Sequence, residues 1–266
     1  MLVPIQTSGH KPPLFFVHGM YGVMFLGSSF ARALGPDQPF YVINANGIDG
    51  RGPVLDDPAE MVRAYVQEIQ EAHPTGPVRI AGMCSGCFIA IEIARALRKD
   101  GRRTGPVILA DPPAIPLSYD KRNAAADARQ PQIAQQLHRQ ARQTLLDHAS
   151  RPYNDLPFDP GVPDQVDAAV SAALATLVAS TRLVPSPFPG PAELIVSAER
   201  APSFFHPQMP WHKLLPGPRI VHVLPWHHRE LFREGRDAVA RLLKFMLDEP
   251  GTLEDLGEQR AERSVA

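Results

Sequence analysis

The 266-residue sequence is expected to fold as an α/β domain, a mostly parallel central sheet with helices on both faces. Three observations lead there. Short apolar runs of strand length recur along the chain, they are apolar on both faces instead of alternating, and segments with helical spacing separate them. The composition suits an ordinary globular protein with a sizeable core: 44% of residues are apolar and 21% are charged. A formal charge of −1 offers no attraction to nucleic acid or an anionic membrane, so neither is expected as a partner. The start, "MLVPIQTSGHKPP", lacks a basic segment followed by an apolar one, and no run of about 18 apolar residues follows. A cytoplasmic protein is expected.

The elements follow in order. "PLFFVHG" (13–19) is too short for a helix and closes on His-Gly, as a buried strand entering a loop does, and "PFYVINANG" (39–47) repeats the form. Between them "SSFARALG" (28–35) has serine at its start as a candidate N-cap, spaced apolar residues and a terminal glycine, the signs of a short helix. A longer helix is expected in 56–76, with Asp57 as cap, Pro58 in the first turn, and Met61, Ala64, Tyr65, Ile69 and Ala72 on one face. Next come the strand "VRIAG" (78–82), a helix beginning near Cys84, and the strand "PVILAD" (106–111). From about 114 to 188 no strand-like run appears. Two Ala- and Gln-rich helical stretches, 121–150 and 163–182, suggest a helical lid inserted between two strands, with Tyr119, Leu137, Leu145, Leu146 and Tyr153 as candidate pocket lining. "AELIVSAE" (192–199) and "RIVHVLPW" (219–226) resume the strands, and "REGRDAVARLLKFML" (233–247) is an amphipathic helix. The expected division is therefore a core of 1–113 and 189–250, a lid of 114–188, and a frayed tail of 251–266, without internal repeats.

Gly82-Met83-Cys84-Ser85-Gly86 has the form G-x-nucleophile-x-G and stands between a strand and a helix. Such a turn holds its central residue at strained backbone angles above the sheet, and the helix N-terminus behind it favours a thiolate. The plainer reading is a buried cysteine beside a glycine-rich turn, since free cysteine is among the most buried residues. A redox or metal pair with Cys87 is a further reading, although no second cysteine pair exists for zinc and nothing in that chemistry needs the flanking glycines. Two cysteines three positions apart cannot form a structural disulfide framework, and Cys87 is expected to face the core.

A thiol nucleophile needs a base, an orienting acid and donors for the oxyanion. In the chain order of the α/β-hydrolase fold the histidine follows the last strand, where "VHVLPWHHRELF" supplies His227 and His228. Asp111 ends "VILAD" and Glu199 ends "LIVSAE", so either strand end could present the acid on the rim that holds Cys84. The amide N–H groups of Met20, in "FVHGMYG", and of Ser85 are the candidate oxyanion donors.

"PPLFFVHGMYG", "DQPFYVINANGIDG", "TGPVRIAGMCSGCFIAIEIARAL", "VILADPP", "WHKL" and "VLPWHHRELF" together resemble the thioesterase domains that release products from nonribosomal peptide and polyketide synthases, over about 1–113 and 192–247. The resemblance implies an α/β-hydrolase core, no cofactor, and a substrate carried as a thioester on the phosphopantetheine arm of an acyl or peptidyl carrier protein within a synthase module. It also implies a triad of Cys84, His228 and Asp111, with Glu199 as the alternative acid and His227 as the alternative base. The sequence departs from the family in having cysteine where serine is usual and Cys87 where a second glycine is usual. A sulfur nucleophile keeps the acyl group at thioester potential, which suits cyclisation or transfer to an amine or alcohol as well as hydrolysis. A dienelactone-hydrolase-like enzyme and a thiol-disulfide protein are the alternatives.

Overall fold

The computed structural model describes residues 1–113, 131–150, 156–183, 186–204 and 211–248. Seven strands, β1 (Leu2–Gln6), β2 (Leu14–Val17), β3 (Phe40–Ile43), β4 (Arg79–Met83), β5 (Val107–Ala110), β6 (Ala192–Ser197) and β7 (Arg219–Leu224), form one sheet in the order β1-β3-β2-β4-β5-β6-β7. All neighbours pair in parallel except β1 with β3. Strand β1, which carries Pro4 and half-buried residues, was not foreseen; it adds an antiparallel edge outside the apolar runs.

The inner strands are buried on both faces because helices cover each. Phe15 and Val17 of β2 join a core with α2 (Pro58–Ala72) and α3 (Gly86–Lys99), while Leu14 and Phe16 join a second core with α1 (Ser28–Leu34) and α8 (Arg236–Asp248). Asp57 caps α2 through its carboxylate, which accepts the Ala59 and Glu60 amides at 2.9 Å, and Pro58 opens the helix. On that helix Val66, not Ala72, completes the buried face with Met61, Tyr65 and Ile69. The serine cap expected for α1 is not formed: Gly27 holds the N-cap without a side-chain bond, and the Ser29 hydroxyl accepts from Arg236 of α8 at 2.7 Å.

Between β5 and β6 stand α4 (Pro131–Ala149) and α5 (Pro163–Arg182), which pack on each other and on Val23, Ala45 and Ile48 in a third apolar cluster. Leu145 is fully buried there with Leu146 against it, and neither lines the cavity that contains Cys84. The opposite face of α4 presents Thr144, Asp147 and His148 to the cavity described below. Tyr119, Tyr153, residues 121–130 of the first helical stretch and the tail 251–266 lie outside the described residues. Two short helices, α6 (Ala201–Phe204) and α7 (Trp211–Leu214), fall in the β6–β7 connection.

This topology determines where chemistry can occur. The chain leaves β2 toward β3 on one side and returns to β4 on the other, so the loops after β2 and β4 diverge and open a crevice at the carboxyl ends of the strands.

Candidate active site

Strand β4 ends at Met83, and the next residue, Cys84, turns into the left-handed region with φ 52°. That conformation strains a residue with a side chain, at a cost of about 1–3 kcal/mol, so something must hold it. The Cys84 amide donates to the Ala110 carbonyl at the end of β5 (2.9 Å), and the Cys87 amide donates back to the Cys84 carbonyl (3.1 Å). The flanking glycines permit the close packing. A Cβ on Gly86 would stand 1.9 Å from the His18 carbonyl oxygen, and one on Gly82 would stand 2.4 Å from that of Gly86. Cys87 is fully buried in α3, and its thiol donates to the Gly82 carbonyl at 3.1 Å. Burial pushes the Cys87 thiol well up and keeps it neutral. Both cysteines are free, and Cys87 faces the core beneath the turn, as expected.

The strand ends bring the other candidates to Cys84 unequally. Asp111 follows β5, is completely buried, and also has a positive φ of 50°. One of its carboxylate oxygens accepts the Ser197 amide at 2.7 Å, and the other accepts from His228 Nδ1 at 2.5 Å. His228 lies in the turns after β7 with its side chain 21% exposed, and it lines the same cavity as Cys84. Glu199 meets His228 differently. Its carboxylate, half exposed, accepts the His228 main-chain amide at 3.0 Å and lies 3.7 Å from His227 Nδ1. His227 is 71% exposed and does not line the cavity that contains Cys84. The ring contact is thus made by Asp111, and Glu199 fixes the loop.

These contacts determine the charges. Burial alone would raise the Cys84 thiol, but the His228 hydrogen bond and charge, the Arg200 guanidinium and the Ser85 amide outweigh it and lower its pKa below the ordinary thiol value. Burial acts on His228 in the opposite sense, and the bonds to Asp111 and Cys84 overcome it to raise the ring to about 9. Asp111 is held below the usual carboxylate range despite burial, chiefly by the His228 bond, then by the Ser197 amide and Arg200. The pair therefore favours thiolate and imidazolium, with its protons shared between two coupled groups.

Two features escaped the sequence reading. His18, fully buried in the His-Gly that closes β2, bonds through Nδ1 to the Gly19 carbonyl and through Nε2 to the Tyr65 hydroxyl of α2, both at 2.7 Å. A carbonyl only accepts, so Nδ1 carries the proton and Tyr65 donates to Nε2. Burial depresses this ring to about 4, so it stays neutral and ties the Gly19–Met20 turn to α2. Arg200, three residues beyond β6, donates to the Asp111 carbonyl at 2.5 Å and lies 3.5 Å from its carboxylate. Arg200 belongs to no motif, and His18 stands in "FVHGMYG" with nothing in that stretch to signal its bond to Tyr65.

A cavity of about 370 Å³ opens on Cys84 and His228. One side is apolar, with Met24, Phe25, Leu26, Met83 and Phe232, and Met20 lines the cavity as well. The Ser85 amide, at the start of α3, helps to lower the Cys84 thiol.

A family model described as the thioesterase domain matches residues 12–246. The chain is 32% identical over 111 residues to malpibaldin synthetase of Mortierella alpina, across 42% of this chain and 2% of that protein. It therefore spans a very small part of that relative. Among solved structures, it resembles the four-domain nonribosomal peptide synthetase holo-AB3403 bound to AMP and glycine, with TM-score 0.69 and 24% identity over 92% of this chain and 20% of that one. It also resembles the Vlm2 thioesterase domain bound with a dodecadepsipeptide, with TM-score 0.67 and 22% identity over 91% and 97% of the two chains. The shared fold is the α/β-hydrolase fold.

Proposed function

Because the chain belongs to the thioesterase family, we propose that it releases an acyl or peptidyl chain from the phosphopantetheine thioester of a carrier protein in a synthase module, through an acyl-enzyme on Cys84. The His228 ring bonded to Asp111 and lining one cavity with Cys84, which stands at the strained turn after β4, carries this reading. The Cys84 thiolate attacks the thioester carbonyl while Asp111 holds the imidazolium in register. The amide N–H groups of Ser85 and Met20 stabilise the tetrahedral oxyanion. As the carbon–sulfur bond to the arm breaks, His228 gives its proton to the departing pantetheine thiol. His228, now neutral, takes a proton from water, a hydroxyl or an amine as it attacks the Cys84 thioester, which releases the product and regenerates the thiolate.

The acyl group passes between two thioesters, so loading is nearly isoenergetic and the intermediate stays activated toward cyclisation or transfer as well as hydrolysis. Helices α4 and α5 serve as the lid of the acyl cavity, to which α4 contributes Thr144, Asp147 and His148.

Release of free pantetheine thiol from an acyl-pantetheine thioester tests the assignment. Cys84→Ala is expected to reduce release to the uncatalysed rate, and release by the unsubstituted chain is expected to fall as pH rises through about 9, where His228 loses the proton it must donate. Undiminished release by Cys84→Ala would remove the assignment.

A further inference from the structure

We propose, on the reading just given, that Arg200 is a positioning residue: it holds Asp111 in its left-handed turn and keeps a positive charge beside Cys84, tuning the site for a sulfur nucleophile.

Geometry carries the argument. Asp111 is, with Cys84, one of the two described non-glycine residues with positive φ, and the two stand at the ends of adjacent strands. Its amide donates to the Ile195 carbonyl at 2.6 Å and Ser197 donates to its carboxylate, which leaves its own carbonyl to be held. Arg200 does this through Nη1, while its Nε lies 3.5 Å from the Asp111 carboxylate oxygen that serves His228. The guanidinium thus holds the residue at both ends, as a planar fork with several donors can. Its own backbone is fixed by the turn after β6, where the Arg200 amide lies 3.0 Å from the Ser197 carbonyl and 3.2 Å from its hydroxyl. Arg200 also lines the cavity with Cys84.

A cation on the acid weakens the hold of Asp111 on the imidazolium, which harms a serine nucleophile that depends on a strong base. A thiol ionises more readily, and the same cation stabilises the thiolate directly. Facing Cys84 are His228 after β7, Asp111 after β5, Cys87 in α3 and Arg200 after β6; Asp147 and His148 of α4, Arg229 and Arg233 line the same cavity. Arg200 and His228 are the positive groups that lower the Cys84 thiol, and Arg200 lowers His228 as well. Its removal is therefore expected to move both titrations to higher pH.

The test is the pH dependence of Cys84 alkylation by iodoacetamide on the full chain, read from the mass of the Cys84 peptide at partial reaction, together with thioester turnover. Arg200→Gln is expected to raise the alkylation midpoint by about half a unit, or roughly threefold less thiolate below it. Arg200→Lys keeps the charge and loses the two-ended hold, so the midpoint should move less while kcat falls about tenfold at unchanged KM. A purely structural role would lower the folded fraction without moving the midpoint. A Cys84 that reacts with the same midpoint in both variants would overturn the role of Arg200 alone; a Cys84 unreactive at every pH in the unsubstituted chain would overturn the nucleophile and this proposal with it. Should Arg200→Gln not fold, wild-type turnover in Arg200→Lys would suffice to overturn it.

Discussion

Cys84 and Asp111 are both strained, and each is held by the neighbouring strand: Cys84 donates to Ala110, and Asp111 donates to Ile195. The proposed nucleophile and acid are thus positioned by strand ends in register and not by flexible loops. The choice between Asp111 and Glu199 follows from which atom of His228 each one meets. A carboxylate on Nδ1 sets the tautomer and supports the imidazolium, whereas one on the main-chain amide only steadies the loop. Asp111→Asn is accordingly expected to lower turnover on the order of 10²–10⁴-fold, and Glu199→Gln by less than about threefold, since the amide oxygen can still accept the His228 N–H. Steady-state rates on one thioester check this, and a larger loss for Glu199→Gln would reverse the assignment. The sequence narrowed the acid to two strand ends and the base to two adjacent histidines. Which partner meets which atom depends on tertiary contacts that no spacing encodes, and Arg200 stayed hidden for the same reason.

At the scale of elements, the β4–α3 join was the most legible part, because close packing demands glycine at both 82 and 86. A Cβ at position 86 would meet the main-chain oxygen of His18, which directly follows β2 and is tied through its amide to Ile43 of β3, so it cannot yield as a side chain could. Gly86→Ala is expected to destabilise the chain by about 3 kcal/mol or more and to displace the Gly19–Met20 turn; thermal unfolding measures it, and an unchanged midpoint would contradict the packing described. The apolar runs of β2 to β6 were readable because strands buried on both faces carry few polar residues, and β7 was readable from its β-branched residues. Strand β1 was not, since Pro4 and half-buried residues make an edge that resembles a loop. The α1 cap was misread by one position: the helix already includes Ser28, and Gly27 before it takes the N-cap without a side-chain bond. On α4, Leu145 and Leu146 looked like pocket residues, but the apolar face turns toward α5 and leaves Thr144, Asp147 and His148 for the cavity.

Over the whole molecule, the sheet order places five strand ends, from β2 through β7, along one rim, each contributing at most a few residues to the site. In the proposed mechanism the crevice between the loops after β2 and β4 receives the scissile carbonyl and the β5 and β7 ends supply acid and base, while the helical segment between β5 and β6 brings Thr144, Asp147 and His148 to the cavity. No helix among the described residues is long and apolar enough to cross a membrane. The arrangement stands or falls on whether the acyl group rests on sulfur at position 84. Intact-protein mass spectrometry after brief exposure to an acyl-pantetheine thioester, followed by peptide mapping, measures this directly. One acyl mass on the peptide carrying Cys84, absent from Cys84→Ala and discharged by hydroxylamine, is the predicted result. An adduct that persists in Cys84→Ala, or turnover without any acyl-enzyme under rapid quench, would contradict it.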